Sequence, residues 1–265
     1  MKRTLFLAGG LVAVLALAGI GFGQTAAEHL LKGDEYFAAF DDQKALDEYL
    51  AAVQLEPGNY EALWKAARGF VDVSDLITGT DKESKDKRKK MYNDAGSYAN
   101  KAVGANRDDT WGHFMLSSAL GNKALLMSTK DQIDASKKIR AEIDKAIELD
   151  GTNDLACHAL GRWHRRMAEI GGAKRFFGGL IYGSIPKGTF ADAEKAFQKA
   201  IELKPDYVNH HIELARTYMA MGKFDLAVPE YQKTIDLPIT ASKDKDLKAE
   251  AAIEIEKAKR KQKLD

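Results

Sequence analysis

The sequence predicts an all-α protein, a superhelix of about five helical hairpins closed by one further helix at the C-terminus. Three observations carry this expectation. One pattern recurs five times, as Ala52-Val-Gln-Leu-Glu-Pro57, Ala102-Val-Gly-Ala-Asn-Arg107, Ala146-Ile-Glu-Leu-Asp-Gly151, Ala200-Ile-Glu-Leu-Lys-Pro205 and Thr234-Ile-Asp-Leu-Pro238. Seven residues before each marker lie Ala45, Ala95, Ile139, Ala193 and Ala227, and three before lie Tyr49, Ala99, Ile143, Phe197 and Tyr231, spacings that fall on one helical face. The composition, 45% hydrophobic and 30% charged over 265 residues, is that of a compact protein with material for a sizeable core.

In chain order, the first segment reads as an export signal. Lys2 and Arg3 precede an apolar stretch from Leu5 to Ala18, and Gly21-Phe22-Gly23 offers the small residues a signal peptidase reads, so residues 1–23 are expected to be cleaved near Gly23. The competing expectation is an uncleaved membrane anchor, because no charge occurs from Thr4 to Ala27, about the ~20 residues a spanning helix needs. Either way the rest of the chain, whose net charge falls from +1 to −1 once Lys2 and Arg3 are removed, is expected outside the cytoplasm, in the periplasm or secreted. Near-neutrality argues against nucleic acid as a partner, since such binding needs a broad positive field. A single cysteine, Cys157, leaves no intramolecular disulfide and no thiolate zinc site.

Each marker segment reads as the end of the second helix of a hairpin. Small residues let paired helices approach, the larger one fills the groove between them, and Pro or Gly stops the helix. The expected units run near 26–59, 60–109, 110–153, 154–207 and 208–240, within a domain spanning 24–242. Successive markers lie 50, 44, 54 and 34 residues apart, so long helices or loops must absorb insertions in the middle units. One such stretch, residues 81–90, carries six positive and three negative charges and is expected to be a solvated loop. Another, residues 171–188, holds six glycines and the run Phe176-Phe177-Gly-Gly-Leu180-Ile181-Tyr182; a packed helix and an apolar flap over a groove are both open readings. From residue 243 to 265 a charged helix with a Leu247, Ala251, Ile255 and Ala258 stripe is expected to cap the array and keep its end soluble.

With these residues in view, the chain resembles the tetratricopeptide repeat family. Its first unit places Gly33, Tyr36, Ala45, Tyr49, Ala52 and Pro57 on that family's consensus positions, and its last does so with Leu214, Ala215, Tyr218, Ala227 and Tyr231. The stretched middle is similar to the regulator of microtubule dynamics family, a divergent set within it. The similarity lies in Ala62-Leu-Trp-Lys-Ala-Ala-Arg68, the run from Lys137 to Asp150, His158-Ala-Leu-Gly-Arg-Trp163 and the run from Asn209 to Tyr218. It covers roughly residues 26–240, with Leu160-Gly161-Arg162-Trp163 its most telling motif. The resemblance implies a right-handed superhelix and a non-catalytic domain for protein contacts, which in eukaryotic members include microtubule association and in a membrane-tethering relative extend to phospholipid. A tubulin partner is not implied for an exported chain.

In such repeats the first helices line a concave groove. Counting from Tyr60, Asp154 and Val208, the ninth residue is Arg68, Arg162 and Arg216, with Arg165 and Arg166 beyond Arg162. A basic stripe of this kind suits bidentate capture of a carboxylate or phosphate. Trp64, Trp111 and Phe114 fall on groove positions beside it. The expected partner is thus a protein or peptide segment with an acidic group, and a lipid or acyl ligand in the same groove is the alternative. The competing expectation is that these arginines pair internally with Asp34, Asp72 or Glu213, and that Trp163 and Cys157 are core.

No catalytic residue, cofactor or dedicated metal is expected. His158 and His164 lie six apart and do not share a helical face, His210 and His211 point apart, and neither a phosphate loop nor a Gly-x-Ser-x-Gly elbow occurs.

Overall fold

The computed structural model describes residues 24–170 and 185–263, so the expected leader and nearly all of the glycine-rich segment lie outside the described residues. Among the described residues there are eleven helices and no strand. They are α1 (Ala26–Ala38), α2 (Asp42–Leu55), α3 (Tyr60–Asp75), α4 (Lys82–Ala105), α5 (Thr110–Ala124), α6 (Thr129–Leu149), α7 (Asp154–Glu169), α8 (Phe190–Leu203), α9 (Val208–Ala220), α10 (Phe224–Asp236) and α11 (Asp244–Gln262). The first ten pack as five successive antiparallel pairs and α11 packs on α10. No described helix is long and apolar enough to cross a membrane.

Helix starts follow from short polar side chains. Thr25, Asp41, Asn59, Asp81, Asp109, Ser128, Asn153 and Thr189 each accept a hydrogen bond from a backbone N–H in the first turn of the helix that follows. Thr25 and Glu28 satisfy each other's backbone donors in a capping box. The turn closing α1 places Phe40 at φ 62°, and the equivalent turn after α9 places Gly222 at φ 73°. Glycine adopts that left-handed conformation freely, whereas phenylalanine is strained there.

The marker residues form the seam within each pair. Ala52, Ala102, Ala146, Ala200 and Thr234 have no exposed surface, and Tyr49, Ala99, Ile143, Phe197 and Tyr231 are at most 1% exposed. Close approach is needed on the facing helix too: a Cβ on Gly33 would lie 2.4 Å from the Tyr49 ring, and one on Gly161 would lie 2.8 Å from three atoms of the Phe197 ring. Polar contacts then join the pairs. Thr110 Oγ1 donates to the Ala146 carbonyl at 2.9 Å and Asn153 Nδ2 donates to Thr110 Oγ1 at 2.9 Å, so the cap of α7 is tied to the start of α5.

In the second and third units the insertions lengthen the second helices. α4 has 24 residues and α6 has 21, against 14 for α2 and α8. The expected loop at residues 81–90 is therefore corrected: Asp81 caps α4 by accepting from Ser84 N at 2.9 Å, and residues 82–90 are already helical. Lysine and arginine are good helix formers, and a charged stretch without Gly or Pro continues a helix at little cost. Past the undescribed segment, Gly188 lies against α7 so closely that a Cβ there would meet the His164 carbonyl oxygen at 2.8 Å. In α11, Ala251, Ile255 and Ala258 are buried as one stripe against α10 and α9.

The array also returns on itself. Ser242 Oγ donates to Asp42 Oδ2 at 2.5 Å across 200 residues, and Lys243 Nζ pairs with Asp75 Oδ2 at 2.8 Å. The connection between α10 and α11 thereby touches the first two hairpins.

The seam makes a contrast of two glycines measurable. Gly161→Ala is expected to lower stability by about 1–3 kcal/mol, because its Cβ cannot be placed without moving the fully buried Phe197 ring. Gly104→Ala meets nothing within 4 Å and is expected to be neutral or stabilising by up to ~1 kcal/mol. Thermal and urea unfolding of the two variants side by side would check both.

Candidate functional site

The arginines expected to line a groove separate into two environments. Around α7 and α9 the organising group is Glu213, whose side chain is 6% exposed. Arg165 Nη2 makes a short hydrogen-bonded ion pair with Glu213 Oε2, and Arg216 Nη1 donates to Glu213 Oε1 at 2.6 Å. Burial would raise the Glu213 carboxyl, but the charges of Arg165, Arg162 and Arg216 outweigh it and hold the group well below the usual carboxylate range. Arg216 then spreads its other nitrogens onto α11, with Nε and Nη2 3.0 and 2.6 Å from the two Glu250 oxygens. Arg165 Nη1 also donates to Glu169 Oε1 at 2.9 Å, and the exposed Arg166 reaches Glu169 at 3.4 Å.

Arg162 differs from its neighbours. It is half-buried, its charge is felt by Glu213 and His158, and among the described residues it makes no hydrogen bond and no ion pair within 4 Å. Arg165, Arg216 and, more loosely, Arg166 are thus committed to carboxylates of this cluster and Arg162 is not.

Arg68 belongs to the first two hairpins. Its Nη2 donates to Tyr49 Oη at 2.8 Å, Tyr49 Oη donates to Asp34 at 2.9 Å, and the guanidinium lies 3.7 Å from the Phe37 ring centroid. One turn on, burial pushes the Asp72 carboxyl up to about 7, against the lowering effect of Arg68. Lys65, 6% exposed, pairs with Asp34 and Glu61, both at 2.6 Å.

The aromatic groups do come together. Trp64 on α3 and Trp111 on α5 are stacked with centroids 4.9 Å apart and planes 17° from parallel, and Phe114 meets Trp111 edge-on at 6.0 Å. All three are half-buried, with Arg68 5.3 Å from the Trp64 ring. Trp163 is core, 7% exposed, with Nε1 donating to the Ser136 carbonyl at 2.9 Å. Cys157 is buried, which pushes its thiol up and away from nucleophile chemistry.

A chain of polar groups between α7 and α9 has no counterpart in the sequence reading. Asp154 Oδ2 lies 2.9 Å from His210 Nε2, and His210 Nδ1 lies 3.0 Å from His158 Nδ1. Burial lowers both imidazoles, His158 well below its ordinary value, with His210 adding to the effect there. The residues are separated by about fifty positions, and only the packing of the fourth hairpin on the fifth brings them together. The one available signal was that Asp154, His158 and His210 all belong to first helices or their flanks.

The comparisons agree with this architecture. The family model described as Regulator of microtubule dynamics protein 1-3 matches residues 29–259. Regulator of microtubule dynamics protein 1 of Pongo abelii is 24% identical over 240 residues, covering 90% of this chain and 75% of that protein. The Bos taurus protein of the same name is 26% identical over 226 residues, covering 85% and 70%. Among solved structures, a thermophilic TPR protein of Thermus thermophilus superposes with a TM-score of 0.63 at 18% identity, over 86% of this chain and 98% of that one. That likeness establishes the fold as a tetratricopeptide-repeat solenoid, and the match over most of the chain establishes that it belongs to the regulator of microtubule dynamics protein 1-3 family.

Proposed function

We propose that this chain is a non-catalytic scaffold that binds a polypeptide segment along the inner face of its first helices, with Arg162 receiving a carboxylate of that segment. The observation that carries the proposal is the isolation of Arg162: it sits beside two arginines already neutralised by Glu213, Glu250 and Glu169, and makes no such pair itself. A half-buried guanidinium presents five donors in a rigid fork suited to a carboxylate. Because Arg165, Arg216 and Arg68 are occupied, the face suits a single anionic group and not a polyanion. Trp64, Trp111 and Phe114 supply apolar contact farther along the same set of helices.

The relatives are named as regulators of microtubule dynamics. For this chain the segment 1–23, with Lys2 and Arg3 ahead of an apolar run, supports a location outside the cytoplasm, cleaved or anchored, and so a partner other than a microtubule.

The arginines give opposite expectations. Arg162→Ala is expected to leave the melting temperature nearly unchanged while weakening partner binding by about 1–3 kcal/mol, with binding also falling as salt is added. Arg165→Ala, which strips a partner from the buried Glu213, is expected to cost roughly 3 kcal/mol of stability. Melting curves and titrations on both variants decide this, and a strongly destabilised Arg162→Ala would remove the basis of the proposal. Native mass spectrometry of protein purified from its host is expected to show a bound polypeptide; bound lipid in its place would point to a carrier. Fractionation is expected to find a chain beginning near Gln24 outside the cytoplasm, whereas recovery in membranes with residues 1–23 intact would indicate the anchor.

A further inference from the structure

We propose that the connection formed by residues 237–243 is a clasp that closes the superhelix on itself, and that its hold on the first two hairpins tightens as pH falls below neutrality. Two polar side-chain contacts join the ends of the array: Ser242 Oγ on Asp42 Oδ2 at 2.5 Å, and Lys243 Nζ on Asp75 Oδ2 at 2.8 Å. The helix seams bury whole rows of apolar side chains, whereas these two contacts are polar, which makes this junction the place where we expect the array to open.

The connection is built as a preformed unit. Asp244, 1% exposed, accepts from Thr240 N at 2.7 Å and Ala241 N at 2.9 Å, and Lys248 Nζ holds the Ile235 carbonyl at 2.9 Å. What it meets is strongly acidic. Asp42 is 4% exposed, Asp75 also accepts from Tyr92 Oη at 2.9 Å, and Asp72 lies near both with Oδ2 buried and without a donor. The groups facing Asp72 are Arg68 and Asp75 from α3, Asp42 from α2 and Lys243 from the clasp, and Asp72, Asp75, Asp154 and Asp244 in turn all face Tyr207 ahead of α9. Two cations, Arg68 and Lys243, stand against Asp42, Asp72, Asp75 and Asp244, so the closed junction carries surplus negative charge when every carboxyl is ionised.

The direction of the pH effect follows. Burial, with Asp42 and Asp75, pushes the Asp72 carboxyl up to about 7 in the closed form despite Arg68 and Lys243. Opening returns Asp72 to water and to its ordinary value of 3.8. A proton is therefore released on opening between these limits, so the support that Asp72 gives to closure is fully present below pH ~4, is progressively lost as pH rises to about 7, and changes little above.

Closure can be read as a distance and requires no partner, so its failure leaves the scaffold reading untouched. Leu31 on α1 and Ile253 on α11 are 64% and 60% exposed, and Leu31→Cys with Ile253→Cys in the full chain offers two spin-label sites while Cys157 stays buried. Pulsed electron resonance on this pair is expected to give a distance distribution that broadens to longer values when Lys243→Ala removes one bridging contact. In that Lys243→Ala background the open-to-closed ratio is expected to rise roughly 10-fold or more from pH 5.5 to pH 7.5. Adding Asp72→Asn, which keeps the shape but cannot ionise, is expected to abolish that dependence. A distribution unchanged by Lys243→Ala overturns the clasp, and a pH dependence that survives Asp72→Asn, or is absent before it, overturns its control by acid.

Discussion

Each pair of helices closes over small marker residues with one larger side chain beside them in all but the second, and the rest of the molecule depends on that close approach. Ala52, Ala102, Ala146 and Ala200 are wholly enclosed, and in two of these seams Gly33 and Gly161 lie close against the rings of Tyr49 and Phe197. Close approach brings each pair into a fixed register, which aligns the first helices of successive pairs side by side. Only because that alignment holds do residues about fifty positions apart, such as Arg165 and Glu213 or His158 and His210, come within hydrogen-bond distance. A bulkier seam would spread the helices and dissolve the polar interior without touching one of its members.

That interior is organised by the cost of burying charge. Glu213 is tolerable in a nearly water-free position because Arg165 and Arg216 pair with it directly, and removing either leaves a charge with no solvent to relax into. The arrangement is uneven along the array. Guanidiniums gather where the fourth pair meets the fifth, and carboxylates gather where the C-terminal connection meets the first two pairs. Charged side chains are thus unevenly distributed along the array although the chain as a whole is close to neutral.

The seam was legible in the sequence because period and residue size act locally: a small residue every third or seventh position states which helix face is covered, whatever lies between the units. The second helices of the middle units were legible only at their ends, since residues 82–90 have no apolar periodicity and their helical state rests on propensity and on the Asp81 cap. Phe40 in a left-handed turn was not legible at all, because only its correspondence with Gly222 in a distant hairpin reveals the geometry. A regular contact was hidden by unequal spacing. His29 with Glu48, His113 with Glu142 and His211 with Glu230 each join the two helices of one pair at 2.5–2.7 Å, yet the intervening lengths differ because of the insertion in the third unit. The pairing of the candidate arginines was legible as alternatives, with Asp34, Asp72 and Glu213 within reach; which guanidinium would be left over depended on side-chain directions that spacing does not encode. The meeting of Ser242 with Asp42 depends on the total twist accumulated over the whole array, a property no single segment carries.

The hydrogen-bonded pair His158 and His210 has a consequence for where protons reside. Both rings are held neutral by burial, so each carries a single N–H. The Asp154 carboxylate can only accept, which places the His210 proton on Nε2 and leaves His210 Nδ1 as a lone pair. The Nδ1–Nδ1 contact then requires the His158 proton to sit on Nδ1, the rarer tautomer of an isolated imidazole. His158 Nε2 is thereby an unprotonated ring nitrogen inside the fourth hairpin, able to accept a hydrogen bond, while burial and then His210 disfavour its protonation.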